Sequence, residues 1–431
     1  MKLIYLVLDG VADRLADPKS SLTLARKPYL DLLARAGVCG LVYSVGAGIA
    51  PESDAAVMSI LGYDPHTHYT GRGPVEAVGA GIPFLEGREV AFRANFATVD
   101  PLSRKLVDRR VGRSLSTEEA RELAESLDGM RLSKYGGYVK VKATVGHRAV
   151  VVLGSEELPL SDEVENTDPA YRKVGSISVA EKVFTPYVRE SSPLSTSLNA
   201  RVAAELINEF TVKAVEVLDK HPVNSRRERK GLLKANVILL RDAGSRLPRL
   251  TPINQLYGLT FGSITEMPVE NGIARLVGMR SIEMPPPTQD KASDYSLRLE
   301  ATFKLLGEVD VVYVHLKGPD EPGHDGDHLG KVRSIEDIDK HYVKELIEGV
   351  NLGETALLVT ADHATPPSVK AHTDDPVPLL LVGGDVTPDR ALKLSESECH
   401  GKGGLGLIDH GWEVLPKILK ILGIGTLGQP Q

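Results

Sequence analysis

The stretch VDVVYVHLKGPDEPGHDGD, residues 309–327, joins an apolar run to a loop rich in acids and histidines. Its first half is mainly β-branched, which is typical of a strand in a parallel sheet covered on both faces. Glycines and prolines then interrupt regular structure, and Asp320 and His324 follow. Ligands bind beyond the carboxyl ends of strands in open α/β sheets, so this Asp-x-x-x-His pair is a candidate metal site. Taken alone, a solvated acidic loop is the simpler explanation.

Two further apolar runs end on acids in the same way. KLIYLVL, residues 2–8, is followed by Asp9, and TALLVT, residues 355–360, is followed closely by Asp362. Parallel strands bring their carboxyl ends to one edge of a sheet, so we expect these two acids to lie close to Asp320. The pattern predicts an α/β fold with its site at this edge.

Histidines accompany the acids. His363 directly follows Asp362, and His372 lies in the next loop. Adjacent side chains on an extended chain point in opposite directions, which suits two neighbouring metal ions better than one. Oxygen and nitrogen ligands without thiolate fit Mn²⁺, Zn²⁺ or Co²⁺ better than Ca²⁺. Taken individually, each residue has a simpler explanation: Asp9 as a turn residue, His363 as a histidine at a strand end, and His372 as a surface residue.

Ser53 follows a glycine-rich turn and precedes a short apolar helix. A helix N-cap is the simple explanation for such a serine. The functional alternative is a nucleophile, since a helix N-terminus and a metal ion both favour an alkoxide, and helix amides receive phosphate. Three carboxylates beside two divalent ions leave a positive charge that a phosphate dianion and an ionised Ser53 would offset, as in two-metal phosphoryl transfer. His66 and His68 lie in a turn, and we expect them at the surface, outside the site.

Composition narrows the class of protein. The 431 residues and their apolar content suit two domains. A net charge of −7 spread along the chain indicates neither a nucleic-acid nor a membrane partner, so we expect small-molecule chemistry. Cys39 and Cys399 offer no disulfide framework, and no signal-like segment or membrane-spanning run is present, so we expect a cytoplasmic protein. The sequence gives no indication of oligomeric state.

The pattern of predicted strands and helices changes in the middle third of the chain. Alternating β-like segments mix with helices there, which predicts a separate α+β domain at residues 84–255, inserted between core segments 1–83 and 256–431. The insert is rich in arginine. Guanidinium groups bind phosphate and carboxylate with two parallel hydrogen bonds, so we expect some of them to contact a ligand.

Seven motifs together resemble one family: LDGVAD, PESDAAVMSILGYDP, YTGRGPVEAVGAGI, NGIARLVGM, GPDEPGHDGD, TADHATP and AHTDDPVP. They are similar to those of the archaeal-type, cofactor-independent phosphoglycerate mutases of the alkaline phosphatase superfamily, over nearly the whole chain. The resemblance implies an alkaline-phosphatase-like α/β core with a mainly parallel sheet and an inserted domain. It also implies an isomerase that interconverts 3-phosphoglycerate and 2-phosphoglycerate through a phosphoserine, without 2,3-bisphosphoglycerate.

The same resemblance implies residue roles. One metal ion would be bound by Asp320, His324 and His372, and the other by Asp9, Ser53, Asp362 and His363, with Ser53 as the nucleophile. Mn²⁺ is the first expectation, with Zn²⁺, Co²⁺ or Mg²⁺ as alternatives. The expected substrate contacts are Arg93, Asn95, Arg110, Arg148, Arg241 and Lys317.

Two segments depart from the family pattern. PPPTQDKASDY replaces a glycine-rich form, and Asp242 stands where the family has glycine. Other substrates therefore remain open, as in a phosphomonoesterase or a homoserine-kinase-like phosphotransferase on the same scaffold. A metal-binding protein without catalysis is the alternative from another class. We expect residues 84–255 to decide whether a phosphoserine is transferred to glycerate or hydrolysed.

Overall fold

The computed structural model describes residues 1–174, 177–181 and 183–426. They divide into two compact units: unit 1 contains Met1–His68, Leu250–Glu266 and the described chain from Ile273, and unit 2 contains Tyr69–Arg249 and Met267–Gly272. The predicted fold class, an α/β unit interrupted by an α+β unit, is confirmed. Unit 2 begins at Tyr69, not at residue 84, because a helix early in the interruption packs on its sheet.

The strands of the described residues, in chain order, are β1 Lys2–Leu8, β2 Val38–Val42, β3 Val90–Val99, β4 Leu106–Asp108, β5 Gly137–Ala143, β6 Arg148–Ser155, β7 Tyr171–Val174, β8 Ile177–Ala180, β9 Val237–Gly244, β10 Phe261–Thr265, β11 Arg280–Glu283, β12 Val311–Leu316, β13 Thr355–Thr360, β14 Val377–Val382 and β15 Gly406–Ile408.

The α-helices of the same residues are α1 Ser21–Leu24, α2 Pro28–Ala36, α3 Ser53–Ile60, α4 Pro65–His68, α5 Arg72–Ala80, α6 Thr117–Glu125, α7 Leu198–Asp219, α8 Pro222–Arg229, α9 Ile253–Tyr257, α10 Pro268–Leu276, α11 Lys291–Leu306, α12 Asp320–Asp325, α13 His328–Ile338, α14 Lys344–Gly349, α15 Glu396–Lys402 and α16 Val414–Leu422. Short 3₁₀ turns lie at Val111–Arg113 and Gly411–Glu413, and a π-helical segment lies at Asp339–Val343.

The sheet of unit 1 has the strand order β11-β10-β12-β1-β13-β14-β2-β15. Its neighbours pair in parallel except where β14 meets β13 and β2. The central strands β12, β1 and β13 are buried on both faces, as their continuous apolar sequences require. Leu8 pairs with Leu316, and Val7 pairs with Thr360, so the three strands end at one level.

The sheet of unit 2 is antiparallel, with the order β4-β3-β6-β5 and with β9 also paired to β3. Alternation along β3 separates its two faces: Ala91 lies in a small apolar cluster with Ala77 of α5, whereas Phe92 and Phe96 lie in a larger cluster that includes residues of α6 and α7. Helix α5 therefore covers part of one face, and α6 and α7 cover the other.

Among the described residues, no helix is both long and apolar enough to cross a membrane.

Candidate active site

The three predicted acids meet at one edge of the unit 1 sheet. Asp9 follows β1, Asp320 begins α12 shortly after β12, and Asp362 follows β13. Gly10 lies between them with a positive φ of 58°, and its backbone N–H donates to Asp362 Oδ1 at 3.0 Å. A Cβ at this position would lie 2.7 Å from Asp320 Oδ1. The acids can converge this closely only because residue 10 has no side chain.

Two histidines present their lone pairs to each other beside Asp320. His324 Nδ1 lies 3.2 Å from the carbonyl oxygen of Lys370, and His372 Nδ1 lies 2.7 Å from that of Pro51. Carbonyl oxygens only accept, so each Nδ1 has the proton and each Nε2 has a lone pair. The two Nε2 atoms are 3.1 Å apart, and they lie 3.4 and 3.6 Å from Asp320 Oδ1. This arrangement fits a shared cation.

His363 has the same polarity. Its Nδ1 lies 3.0 Å from Thr365 Oγ1, and that hydroxyl donates to Asp320 Oδ1 at 2.8 Å. A hydroxyl has one proton, so Thr365 accepts from His363 Nδ1–H, and in the neutral ring the lone pair is therefore on Nε2. Nε2 lies 3.1 Å from Ser53 Oγ.

Two carboxylate oxygens lie close to the same nitrogen. His363 Nε2 is 3.1 Å from Asp362 Oδ2 and 3.5 Å from Asp9 Oδ1. Both oxygens are buried without a hydrogen-bond partner among the described residues. Leaving buried carboxylate oxygens unsatisfied costs free energy, and a bound cation removes that cost. The donor set therefore fits a second metal ion.

The pKa values at this edge reflect the excess of acids. Burial lowers the pKa of His363, but Asp362, together with Asp320 and Asp9, raises it to about 9. The pKa of Asp320 is lowered, because the neighbouring histidines outweigh burial and the repulsion from Asp9. In the absence of metal, these three acids therefore favour a protonated, positively charged His363 ring.

Ser53 is the first residue of α3, and the N-cap is Glu52, whose side chain makes no capping hydrogen bond. The simple explanation of Ser53 as a cap is therefore wrong. Its hydroxyl lies instead at the helix N-terminus and contacts His363.

Two basic side chains at the end of β12 complete this edge. Lys317 Nζ lies 3.1 Å from Asp9 Oδ2. His315, which sequence analysis missed, is buried with Nε2 at 3.8 Å from Asp9 Oδ1 and 3.6 Å from Asp362 Oδ2. Burial would raise the pKa of Asp9, but Lys317, His315 and His363 lower it well below its usual range. The signal for His315 was a polar residue inside an otherwise apolar buried strand.

Four of the six predicted substrate contacts share one face of the unit 2 sheet. Arg93 pairs with Arg241 across β3 and β9, and Asn95 pairs with Arg148 across β3 and β6. Arg93 and Asn95 are two residues apart, as are Ala91 and Arg93, so this is the face that α5 partly covers. Below, the arginine face means Arg93, Arg148 and Arg241.

Positive charge is concentrated on the arginine face. Burial, Arg241 and Arg72 lower the pKa of Arg93 to about 10. Arg241 Nε is buried without a hydrogen-bond partner among the described residues, and its guanidinium lies 4.0 Å from the ring centroid of Tyr171. Glu76 accepts from Arg72 at 2.6 Å and lies 3.7 Å from Arg93. These features suit an anionic ligand.

Acids that sequence analysis missed fix this region. Asp168 accepts two hydrogen bonds from Arg109, at 2.9 and 2.6 Å, and its Oδ2 lies 4.0 Å from Arg241. Asn95 donates its side-chain amide to the carbonyl oxygen of Arg109 at 2.7 Å, so it anchors the next loop. Asp168 lies in none of the seven motifs, and Glu76 lies in YTGRGPVEAVGAGI, a motif that gave no indication of a role for this acid.

That loop lines a cavity of about 360 Å³, bounded by Asp108, Arg109, Arg110, Gly112 and Arg113. Val111 has a φ of 55°, a conformation that is costly for a β-branched residue. Asp108 Oδ1 accepts from the backbone N–H groups of Arg110 and Gly112 and so stabilises this turn. The loop presents its arginines from a fixed backbone.

Three further positions were singled out in the sequence: His66, His68 and Asp242. His66 is exposed in α4, and His68 lies beside Tyr63, so neither is among the converging side chains. Asp242 has a φ of 57°, which explains why glycine is expected there, and aspartate tolerates this conformation better than most residues.

Comparisons with known proteins identify the family of the chain. The family model described as 2,3-bisphosphoglycerate-independent phosphoglycerate mutase matches residues 34–224. Proteins of that name from Aeropyrum pernix and Archaeoglobus fulgidus are 48% and 40% identical; each match covers 98% of this chain, with 100% and 98% of the relatives.

Solved structures agree as well. A Pyrococcus horikoshii protein has a TM-score of 0.75 and 27% identity, over 98% of this chain and 97% of its own. The cofactor-independent phosphoglycerate mutase of Thermoplasma acidophilum has a TM-score of 0.58 and 28% identity, over 98% of this chain and 100% of its own. The chain therefore belongs to the 2,3-bisphosphoglycerate-independent phosphoglycerate mutases, a family of isomerases.

Proposed function

We propose that the protein interconverts 3-phosphoglycerate and 2-phosphoglycerate through a phosphoserine at Ser53. One observation supports this most strongly: Ser53 Oγ lies 3.1 Å from His363 Nε2, where Asp9 and Asp362 converge. A hydroxyl at a helix N-terminus among unsatisfied carboxylates suits an attacking oxygen next to bound cations.

Two divalent metal ions fit the donor set. We assign one to Asp320, His324 and His372, and the other to Asp9, Ser53, Asp362 and His363. His363 is assigned with Asp9 because its free nitrogen is Nε2, whereas Nδ1, at 3.9 Å from Asp320 Oδ1, contacts Thr365. His315 is a further candidate for the second group, since its Nε2 approaches Asp9 and Asp362.

Mixed oxygen and nitrogen donors without thiolate favour Mn²⁺, with Zn²⁺, Co²⁺ and Mg²⁺ as alternatives. When bound, such ions supply positive charge for phosphoryl oxygens and lower the pKa of a nearby hydroxyl. The protein itself contributes fixed ligand orientations, through carbonyl oxygens and the Thr365 hydroxyl that set which nitrogen of each ring is free.

The reaction then consists of two phosphoryl transfers, the first to Ser53 and the second back to glycerate. Ser53 loses its proton as its Oγ bonds to phosphorus, the bond from phosphorus to the substrate oxygen breaks, and that oxygen gains a proton. Glycerate reorients, its other hydroxyl loses a proton and bonds to phosphorus, and Ser53 Oγ is released and protonated again. We assign Lys317, whose ammonium lies beside Asp9, to binding of a phosphoryl oxygen.

We assign recognition of the substrate anion to the arginine face and to Arg110. Burial, and then repulsion from Arg241 and Arg72, lower the pKa of Arg93, so a carboxylate or phosphate bound beside Arg93 would favour its charged form. Retaining the glycerate carboxylate keeps glycerate at high effective concentration during reorientation.

The test is to incubate the protein with 3-phosphoglycerate and to measure 2-phosphoglycerate through enolase, with phosphate release in parallel. Transfer that exceeds release, together with phosphate mapped to the Ser53 peptide, is the expected result. Phosphate release without 2-phosphoglycerate would identify a phosphomonoesterase instead. Turnover without any phosphoserine would rule out the covalent route.

A further inference from the structure

Lys331, on α13, is a charged side chain with no exposed surface. Its Nζ donates to the carbonyl oxygen of Ala12 at 2.9 Å, to Asp13 Oδ1 at 2.7 Å and to the carbonyl oxygen of Thr365 at 2.9 Å. An ammonium has three protons, so these bonds use all of them. None of these contacts is to a candidate metal ligand.

The partners of Lys331 belong to the segments that contain those ligands. Ala12 and Asp13 lie in the loop that follows β1 and Asp9, and Thr365 lies in the loop that follows β13 and Asp362. Helix α13 itself follows the segment with Asp320 and His324. One side chain thus connects all three ligand segments.

The connection continues to the ligands through Thr365. Its backbone N–H donates to the Ala12 carbonyl oxygen at 2.9 Å, so Thr365 and Lys331 share an acceptor. Its hydroxyl bonds to both Asp320 and His363. A shift of the Thr365 backbone would therefore move one ligand from each proposed metal group.

Asp13, the carboxylate that pairs with Lys331, is itself held by hydrogen bonds. Asp13 Oδ2 accepts from the Ser21 backbone N–H at 2.5 Å, and the Asp13 N–H donates to Glu396 Oε1 at 2.8 Å. A buried ion pair of this kind contributes little net stability compared with apolar residues of the same size. Stability alone therefore gives no reason for a lysine here.

We infer that Lys331 is a positioning residue of the metal centre, which sets the spacing of the three ligand segments through its hydrogen bonds to Ala12, Asp13 and Thr365. This inference rests on the proposed metal centre. Because the Asp13 carboxylate offsets the lysine charge, the effect of Lys331 on bound ions is geometric. Its loss lowers metal affinity even where the fold is retained.

The test is calorimetric titration of Mn²⁺ into metal-stripped wild type, Lys331→Met and Lys331→Met/Asp13→Asn, with circular dichroism melts of the metal-free proteins. The double variant removes the ion pair as a unit and so avoids an uncompensated buried charge. Lys27→Met is the matched control, because Lys27 is another buried lysine of unit 1, 2.7 Å from Asp31.

We expect both Lys331 variants to weaken Mn²⁺ binding about 10- to 100-fold, as for other residues that orient ligands, and Lys27→Met to leave it unchanged. Wild-type affinity in a folded double variant, an equal loss in Lys27→Met, or failure of both Lys331 variants to fold would overturn the inference. A wild type that binds no Mn²⁺ would instead overturn the proposed metal centre.

Discussion

The Nε2 atoms of His324 and His372 lie 3.1 Å apart, although each ring already uses its Nδ1 proton for a backbone carbonyl. Neither Nε2 has a proton to donate in the neutral rings, so the two lone pairs repel unless a cation lies between them. The carbonyl oxygens of Lys370 and Pro51 fix this orientation before any ion binds. The backbone therefore preorganises these two nitrogens for the metal ion that we propose.

Metal removal should lower thermal stability, because ions that bind only the folded protein stabilise it. At a free concentration 100 times the Kd, each site contributes about 2.7 kcal/mol. The measurement is the melting temperature of chelated protein with and without added Mn²⁺, with Ca²⁺ as the matched control. Nitrogen donors suit Ca²⁺ poorly, so it should shift the melt less. An unchanged melt with Mn²⁺ would contradict the metal assignment.

Ser53→Ala should abolish turnover while metal binding persists, since it removes the attacking oxygen and one ligand of several. Ser59→Ala is the control on the same helix, because the Ser59 hydroxyl is buried without a hydrogen-bond partner among the described residues. Steady-state rates and metal content are measured for both. Activity of Ser53→Ala within about tenfold of wild type, or only about 1.4 kcal/mol in the barrier, would refute a covalent route.

Local sequence was sufficient to predict the strand ends. An apolar run followed by an acid identifies both a buried strand and its carboxyl end, and parallel pairing then brings Asp9, Asp320 and Asp362 together. The paired register of β12, β1 and β13 confirms that step.

The supporting residues could not be predicted in this way. Lys331 and Thr365 become important only through hydrogen bonds between segments distant in sequence. Likewise α5 has an ordinary helical sequence, and only its packing on β3 places it in unit 2. Such contacts depend on tertiary structure, which a single sequence pattern does not record.

His147 should make unit 2 sensitive to acid. Burial, and then Arg148 and Arg110, lower its pKa from 6.5 to about 3. The unfolded chain then binds more protons between these values, so the stabilisation is complete above pH 6.5 and is lost as pH falls towards 3. A pKa difference between 6.5 and about 3 corresponds to roughly 5 kcal/mol at most. Denaturant melts against pH should show a weaker acid dependence for His147→Gln, with exposed His66→Gln as the control; identical curves would contradict this.

Arg227 should control the loop that presents Arg110. It is fully buried, and it donates to Ser114 Oγ at 2.7 Å and to Glu119 at 2.5 Å. Arg227→Met should raise KM for phosphoglycerate about tenfold more than it lowers kcat, because the loop loses its fixed backbone. The control is Arg226→Met on the same helix, whose residue is 44% exposed and pairs with Glu122. Equal kinetics for the two variants would show that the loop is held by other contacts.

The fate of the proposed phosphoserine should depend on the arginines that we assign to glycerate binding. Water and a glycerate hydroxyl can both attack the phosphoserine. Transfer to glycerate is therefore faster than hydrolysis only while the glycerate carboxylate remains bound. Arg110→Ala, and secondly Arg241→Ala, should therefore lower 2-phosphoglycerate formation far more than phosphate release, and the ratio of hydrolysis to transfer should rise. Arg131→Ala is the control, since Arg131 lies in unit 2 and is 66% exposed. Both rates are measured in parallel from 3-phosphoglycerate. Equal losses of the two activities would show that these arginines bind substrate without deciding the acceptor.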